Sequence, residues 1–251
     1  KNFRLSNIDQ KTKLLSNLKV DFVVTKKFDK KFSKTKALNF IIKILNKKLC
    51  SKFIFVSNNF RFGNKREGNV KQLIKYENIY NYKVIKPKPL SNKKKIVSSS
   101  LIRNYLQKGK LNIANKLLNR NWSIEGRVQK GKQLGKKIGF PTANIEIENK
   151  WKLHPTDGVY AVQVILEKRT YKGMMNIGIK PTVEGSKKTL EVHLLDFSED
   201  IYGKQLEINF IKKIREEKKF ENIDALKQQL LIDKNKVEHL SGGYEEFSRT
   251  V

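Results

Sequence analysis

Apolar positions in the first half of the chain recur at two different periods. Residues 8–18 (IDQKTKLLSNL), 37–49 (ALNFIIKILNKKL) and 69–81 (NVKQLIKYENIYN) carry them at helical spacing. The short runs 20–25 (VDFVVT), 52–57 (KFIFVS) and 82–90 (YKVIKPKPL) are rich in β-branched and aromatic residues and predict strands. Strands separated by helices of this length predict a parallel sheet with helices packed on its faces. Ligands in such sheets bind beyond the carboxyl ends of the strands, so the loop 58–69 (NNFRFGNKREGN) is a site candidate by position alone.

Residues 97–120 (VSSSLIRNYLQKGKLNIANKLLNR) predict a serine-capped helix and a second helix, with Gly109 between them. From Trp122 the texture changes to short alternating runs at 123–129, 142–147, 158–167, 169–178, 189–197 and 205–214, separated by turn signals such as Pro155-Thr156-Asp157-Gly158. Six closely spaced strands predict an antiparallel barrel. A final helix is expected over 222–240, followed by a tail. The expected division is therefore 1–120, 121–240 and a tail at 241–251.

Charge complicates this picture. Residues 1–120 hold 31 Lys and Arg against 5 Asp and Glu, net +26, while residues 121–251 hold 23 against 19, net +4. A half-chain this basic invites a nucleic-acid reading. Only five of the 31 cations are arginine, the residue suited to bidentate phosphate and base contacts, and the lysines are scattered rather than gathered on one motif. Nucleic-acid binding is not the leading expectation, although the field would attract phosphorylated small molecules. The single cysteine, Cys50, excludes a disulfide within the chain. There is no apolar run of about 18 residues and no apolar N-terminal signal, so a soluble, cytoplasmic protein without membrane attachment is expected.

The candidate chemistry of the second half begins with a loop that sets Gly126, Gly131, Gly135 and Gly139 among Lys130, Lys132, Lys136 and Lys137. Glycines let backbone N–H groups approach phosphate oxygens and lysines neutralise them. The pattern is neither a P-loop nor a dinucleotide fingerprint, and such loops are commonly just solvated. It runs into Pro141-Thr142-Ala143-Asn144. In an extended segment Thr142 and Asn144 point to one side and present a hydroxyl and an amide carbonyl to one spot. The plain reading is a turn entering a strand. The functional one is a pair of hard, neutral oxygens for Mg²⁺, whose shell would take its negative charge from a nucleotide. In TLEVHLLDF, Glu191 and His193 share one strand face opposite Leu190, Val192 and Leu194. Glu191 is a candidate proton acceptor and His193 a hydrogen-bonding neighbour; the plain alternative is the polar outer face of a barrel.

Taken together, GRVQKGKQLGKKIGFPTANIEI, DGVYAV, NIGIKPTVEG, LEVHLLDFSEDIYGKQLEINFIKKIREEKKF and NIDALKQQLLID resemble bacterial riboflavin kinase. The resemblance implies a six-stranded antiparallel barrel with a C-terminal helix that uses ATP, riboflavin and Mg²⁺ and yields FMN. It implies Thr142 and Asn144 as ligands of Mg-ATP, with Gly131, Lys132, Gly135, Lys136 and Gly139 around the nucleotide. It implies Glu191 as the base that activates the terminal ribityl hydroxyl, and Arg215 near the flavin.

Upstream, the chain is similar to the FAD synthetase domain that bacteria fuse ahead of this kinase. That likeness implies an α/β nucleotidyltransferase (Rossmann-like) domain adding AMP to FMN. VSNNFRFGNKREGN is similar to its flavin-side loop, implying Asn59, Phe60 and Phe62 at the flavin, where an aromatic can stack or simply anchor the loop. VSSSLIR is similar to its S-S-T-x-I-R signature, implying Ser98, Ser99 and Arg103 at the ATP phosphates, with Ser100 in place of the usual threonine. The family's G-x-F-D-x-x-H-x-G-H stretch is absent, since the three histidines are His154, His193 and His239. The domain is thus expected to be incomplete at its N-terminus, with the kinase step retained and adenylylation lost. A basic RNA-binding protein with a non-catalytic barrel is the competing reading. It accounts for the charge but leaves Thr142, Asn144 and Glu191 without a role.

Overall fold

The computed structural model describes residues 4–92, 95–131, 134–147, 149, 151–182 and 185–240. They gather into two compact units, Asp21–Val97 and, from both ends of the chain, Lys1–Val20 with Ser98–Val251.

In Asp21–Val97, the strand Phe53–Phe55 pairs in parallel with Lys83–Ile85, and the helices Val70–Lys75 and Glu77–Tyr80 lie between them in sequence. This is the strand–helix–strand arrangement that the alternating periods predict. Ile54 and Val84 turn inward and join Ile41, Phe62, Leu73 and Tyr82 in one apolar core. Tyr82 satisfies its buried hydroxyl by donating to the Leu73 carbonyl at 2.6 Å. Asn69 caps the Val70–Lys75 helix through a bond from the Gln72 N–H.

One expectation needs correction here, and two helices differ in detail from a continuous α-helix. Residues 20–25 form no strand, and Val20, Phe22 and Val24 stand 40%, 87% and 74% exposed. A strand exists only when another strand takes its N–H and C=O groups, and among the described residues none pairs with this run. Residues 37–49 start as an α-helix at Ala37–Asn39 and continue as a π-helix over Phe40–Asn46. The expected helix 69–81 is divided at Tyr76 into two short helices.

In the other unit, six strands close into an antiparallel barrel. They are β1 (Trp122–Gln129), β2 (Ala143–Glu146), β3 (Gly158–Leu166), β4 (Arg169–Thr182), β5 (Gly185–Leu194) and β6 (Gln205–Arg215). Around the barrel the order is β4-β5-β2-β1-β6-β3, and β3 pairs back onto β4. Alternation decides which side chains enter. Trp122, Ile124, Val128, Tyr160, Val162, Met175, Val192, Leu206, Ile208 and Phe210 are buried, and closure removes every sheet edge.

Beside the short helix Leu134–Lys137, four longer helices among the described residues belong to this unit: α1 (Ile8–Asn17), α2 (Ser99–Gln107), α3 (Leu111–Leu118) and α4 (Ile223–Glu238). Asn7 and Gln10 form a reciprocal capping box at the start of α1. Buried Asn115 of α3 docks on the barrel, accepting from the Trp122 N–H at 2.9 Å and donating to the Phe210 carbonyl at 2.8 Å. α4 lies on the outer barrel face, where Val237 packs with Phe140, Ala161, Met174, Leu195 and Ile211. Burying a valine this completely contributes about 1.5–3 kcal/mol. The tail at 241–251 lies outside the described residues.

Candidate functional site

The outer face that α4 partly covers is where the candidate residues meet. Asn144 of β2 lies directly opposite Glu191 of β5, and Glu191 lies opposite Asn176 of β4. The same row continues through Val159 of β3 to Arg215 at the end of β6, and in the other direction to Gln129 of β1. Directly opposed side chains start about 5 Å apart at Cβ. A ladder of six strands therefore assembles an amide, a carboxylate, a second amide and a guanidinium from distant parts of the chain. Asn144, Glu191 and Asn176 are each half-buried, while their neighbours Ala143, Ile145 and Val192 fill the barrel.

The glycine loop lies against this row. A Cβ at Gly131 would overlap the Asn144 side chain, and one at Gly135 would overlap the Phe140 carbonyl and touch Thr142 Oγ1 at 3.4 Å. Backbone thus passes close beside both candidate side chains, against the Asn144 amide nitrogen and near Thr142 Oγ1, and at each glycine a larger residue would clash. Gly139 has φ +82°, a left-handed conformation that suits glycine. Lys136 and Lys137 are exposed on the short helix Leu134–Lys137, and Lys132 lies outside the described residues.

His193 stands two residues from Glu191 and beyond the last β2–β5 pair. Its Nδ1 is 2.7 Å from the Pro141 carbonyl, and its ring meets Phe140 edge-on at 5.3 Å. Burial pulls this imidazole below the usual histidine range, with the Pro141 hydrogen bond opposing.

Arg215 is held by α4. Its Nε donates to Asp233 Oδ2 at 2.7 Å, Gln229 donates to Asp233 Oδ1 at 3.0 Å, and Nη1 donates to the Glu216 carbonyl at 3.0 Å. Its guanidinium lies 5.6 Å from the centre of the Phe220 ring. Neither Asp233 nor Asn176 is singled out by reading the sequence. The spacing of Gln229 and Asp233 on one helix face was the available signal for the first. The segment after Arg215 also covers the row, because a Cβ at Gly178, two residues beyond Asn176, would strike the Glu217 carboxylate.

Two clefts of about 470 and 340 Å³ lie elsewhere on this unit, between α1 and the barrel, and are lined by residues such as Asn7, Lys152, Arg120 and Glu207. Neither is lined by Thr142, Asn144 or Glu191.

The residues singled out upstream divide in their surroundings. Ser98 caps α2 through a bond from the Leu101 N–H at 3.2 Å, Ser99 is exposed in the first turn, and Arg103 reaches Ser100 at 3.4 Å. In Asp21–Val97, Asn59 is exposed and Phe60 is half-buried. Phe62 is 6% exposed, with Phe60 stacked against it at 5.6 Å and Phe40 at 5.5 Å. With both neighbours in place, Phe62 anchors its loop to the core.

A riboflavin kinase family model matches residues 118–241, and an FAD synthetase family model matches residues 1–101. The bifunctional riboflavin kinase/FMN adenylyltransferase of Buchnera aphidicola subsp. Schizaphis graminum is 42% identical over 234 residues, covering 92% of this chain and 74% of that protein. The protein of the same name from Escherichia coli K12 is 38% identical over 231 residues, with 92% and 73% covered. A crystal structure titled as a macrolide-efflux protein from Streptococcus pneumoniae superposes with a TM-score of 0.85 at 28% identity, over 94% of this chain and 76% of that one. Among the described residues of the present chain, no helix is long and apolar enough to cross a membrane. The chain belongs to the bifunctional riboflavin kinase/FMN adenylyltransferase family.

Proposed function

We propose that the barrel unit transfers the γ-phosphoryl group of ATP to the terminal hydroxyl of the ribityl chain of riboflavin, giving FMN. The placement of Glu191 opposite Asn144 carries this reading. The two ends of the reaction need different groups within one substrate's reach, a proton acceptor for the alcohol and oxygen ligands for the metal–nucleotide. Glu191 takes the hydroxyl proton as the oxygen attacks. Thr142 and Asn144 supply neutral oxygens to the metal side, and the backbone at Gly131 and Gly135 with Lys136 lines the phosphates. Mg²⁺, the divalent ion suited to two such oxygens plus phosphates, would neutralise charge on the transferring group when bound. Asn176 and Arg215 lie further along the row on the flavin side, with Arg215 oriented by Asp233.

Adenylyl transfer to FMN falls to the region that matches FAD synthetase. Ser99, inside that match, and Arg103, two residues beyond it, lie at the start of the Ser98-capped helix and suit ATP phosphates. Asn59 and Phe60 are the flavin contacts we assign, without Phe62. The comparisons point to an enzyme rather than to the RNA-binding alternative. The test is incubation of the purified chain with riboflavin, ATP and Mg²⁺, separating flavins by chromatography. FMN that appears only when both ATP and the divalent ion are present supports the reading. Its absence under conditions where the chain is folded would overturn it.

A further inference from the structure

We propose that His193 is a positioning residue for the metal–nucleotide side of the site, clamping the backbone from which Thr142 and Asn144 project. The inference rests on the assignment of those two residues to the metal–nucleotide. Backbone pairing between β2 and β5 runs through Asn144↔Glu191 and Ala143↔Val192 and then stops. The next residue back from Ala143 is Thr142, and before it stands Pro141, which has no N–H to offer a ladder. The strand is therefore free to splay at the residue that carries the candidate hydroxyl.

His193 supplies the missing tie with its side chain. Nδ1 lies 2.7 Å from the Pro141 carbonyl, and since a carbonyl only accepts, Nδ1 carries the proton. The Pro141 carbonyl belongs to the same peptide plane as the Thr142 nitrogen, so holding the oxygen fixes that plane and the direction in which Thr142 leaves the chain. The ring is itself gripped. It packs edge-on against Phe140, which is buried among Ala161, Met174, Leu195, Ile211 and Val237. Opposite it across the β4–β5 ladder lies Met174 of the same cluster. The clamp thus ties the loop carrying the oxygens to the barrel and to α4. Burial also lowers the imidazole from its ordinary range, against the raising effect of the Pro141 hydrogen bond.

The experiment is steady-state kinetics on the full chain with His193→Asn, His193→Gln and Asn144→Ala, together with calorimetric titration of Mg-ATP as a readout independent of turnover. An Asn amide nitrogen can occupy the position of Nδ1, whereas a Gln amide reaches the position of Nε2 and leaves the Pro141 carbonyl without its donor. We expect His193→Gln to raise KM and Kd for Mg-ATP by up to about ten-fold, the worth of one hydrogen bond, with riboflavin KM within about two-fold. His193→Asn should recover most of that loss. Equal impairment by Asn and Gln, or parallel rises for Mg-ATP and riboflavin, would overturn the clamp. If Asn144→Ala weakens Mg-ATP and His193→Gln does not, the clamp alone is wrong. If Asn144→Ala leaves Mg-ATP binding unchanged, the metal–nucleotide assignment beneath it fails as well.

Discussion

Glu191 and Asn144 face each other across neighbouring antiparallel strands, in register and on the outer side of a closed barrel. Their Cβ atoms are therefore separated by about 5 Å, close enough for one reacting pair of oxygen and phosphorus atoms to lie between the two side chains. Register enforces the relationship. Slipping β2 against β5 by one residue would turn Ala143 and Ile145 out of the core and Asn144 into it, so the same burial that stabilises the barrel fixes the pairing.

The glycine loop supplies a first test of that geometry. A side chain at Gly131 would occupy the space of the Asn144 amide. Gly131→Ala should therefore lower kcat/KM for Mg-ATP by about 10²-fold, as displacement of a catalytic group by about 1 Å does. Riboflavin KM should change much less. Steady-state kinetics with each substrate varied in turn checks this, and kinetics equal to those of the wild type would show that the loop does not rest on Asn144.

The link between Arg215 and α4 is a second. Asp233 is fully buried and the Arg215 side chain is only 14% exposed, so removing the carboxylate strands a cation with little water around it. Asp233→Ala should cost about 3–5 kcal/mol in denaturant unfolding of this unit. Asp233→Asn, which keeps an acceptor for Nε, should cost less and raise riboflavin KM more than Mg-ATP KM. A loss for Asp233→Ala under about 1 kcal/mol, the range of exposed pairs, would mean that Arg215 is solvated.

Stability should also depend on pH in a definite direction. Burial first, then the Arg120 cation, pulls the Lys152 ammonium down to about 7, against the opposing effect of Glu125 and Glu207. Burial first, then Lys188 and Lys152, lowers His154 to about 4. Each group holds its proton more tightly in the unfolded chain, near the ordinary values of 10.5 and 6.5. Stability must then rise with pH across each gap, from 4 to 6.5 for His154 and from 7 to 10.5 for Lys152. The slope is at most about 1.4 kcal/mol per pH unit for either group, and for half-buried His154 solvent screening narrows the window over which it acts. Lys152→Met should flatten the upper limb in unfolding curves measured across pH, and His154→Gln the lower one. Unchanged slopes in these variants would contradict the burial.

The barrel was the most legible part of the molecule, because each strand buries one face. In 142–147, Ala143 and Ile145 point in while Thr142 and Asn144 do not, and that alternation shows in the sequence. Residues 20–25 carry a strand-like composition and form no strand, since pairing depends on a partner that local pattern does not encode. Phe60 and Phe62 look alike as loop aromatics, yet only the packed structure separates the anchor from the half-exposed ring. The same limit hid Asn176 and Asp233. Their proximity to Glu191 and Arg215 comes from ladder register and helix docking between segments distant in sequence, as does the approach of Gly131 to Asn144.

Glu191→Gln offers the most direct test of the central claim, that this carboxylate accepts the ribityl proton while Asn144 and Thr142 hold the nucleotide's metal. The substitution keeps shape and polarity and removes the basic oxygen. In riboflavin phosphorylation followed as FMN release, kcat should fall by about 10²–10⁴-fold while KM for Mg-ATP stays within about two-fold. Turnover at the wild-type rate would contradict the account.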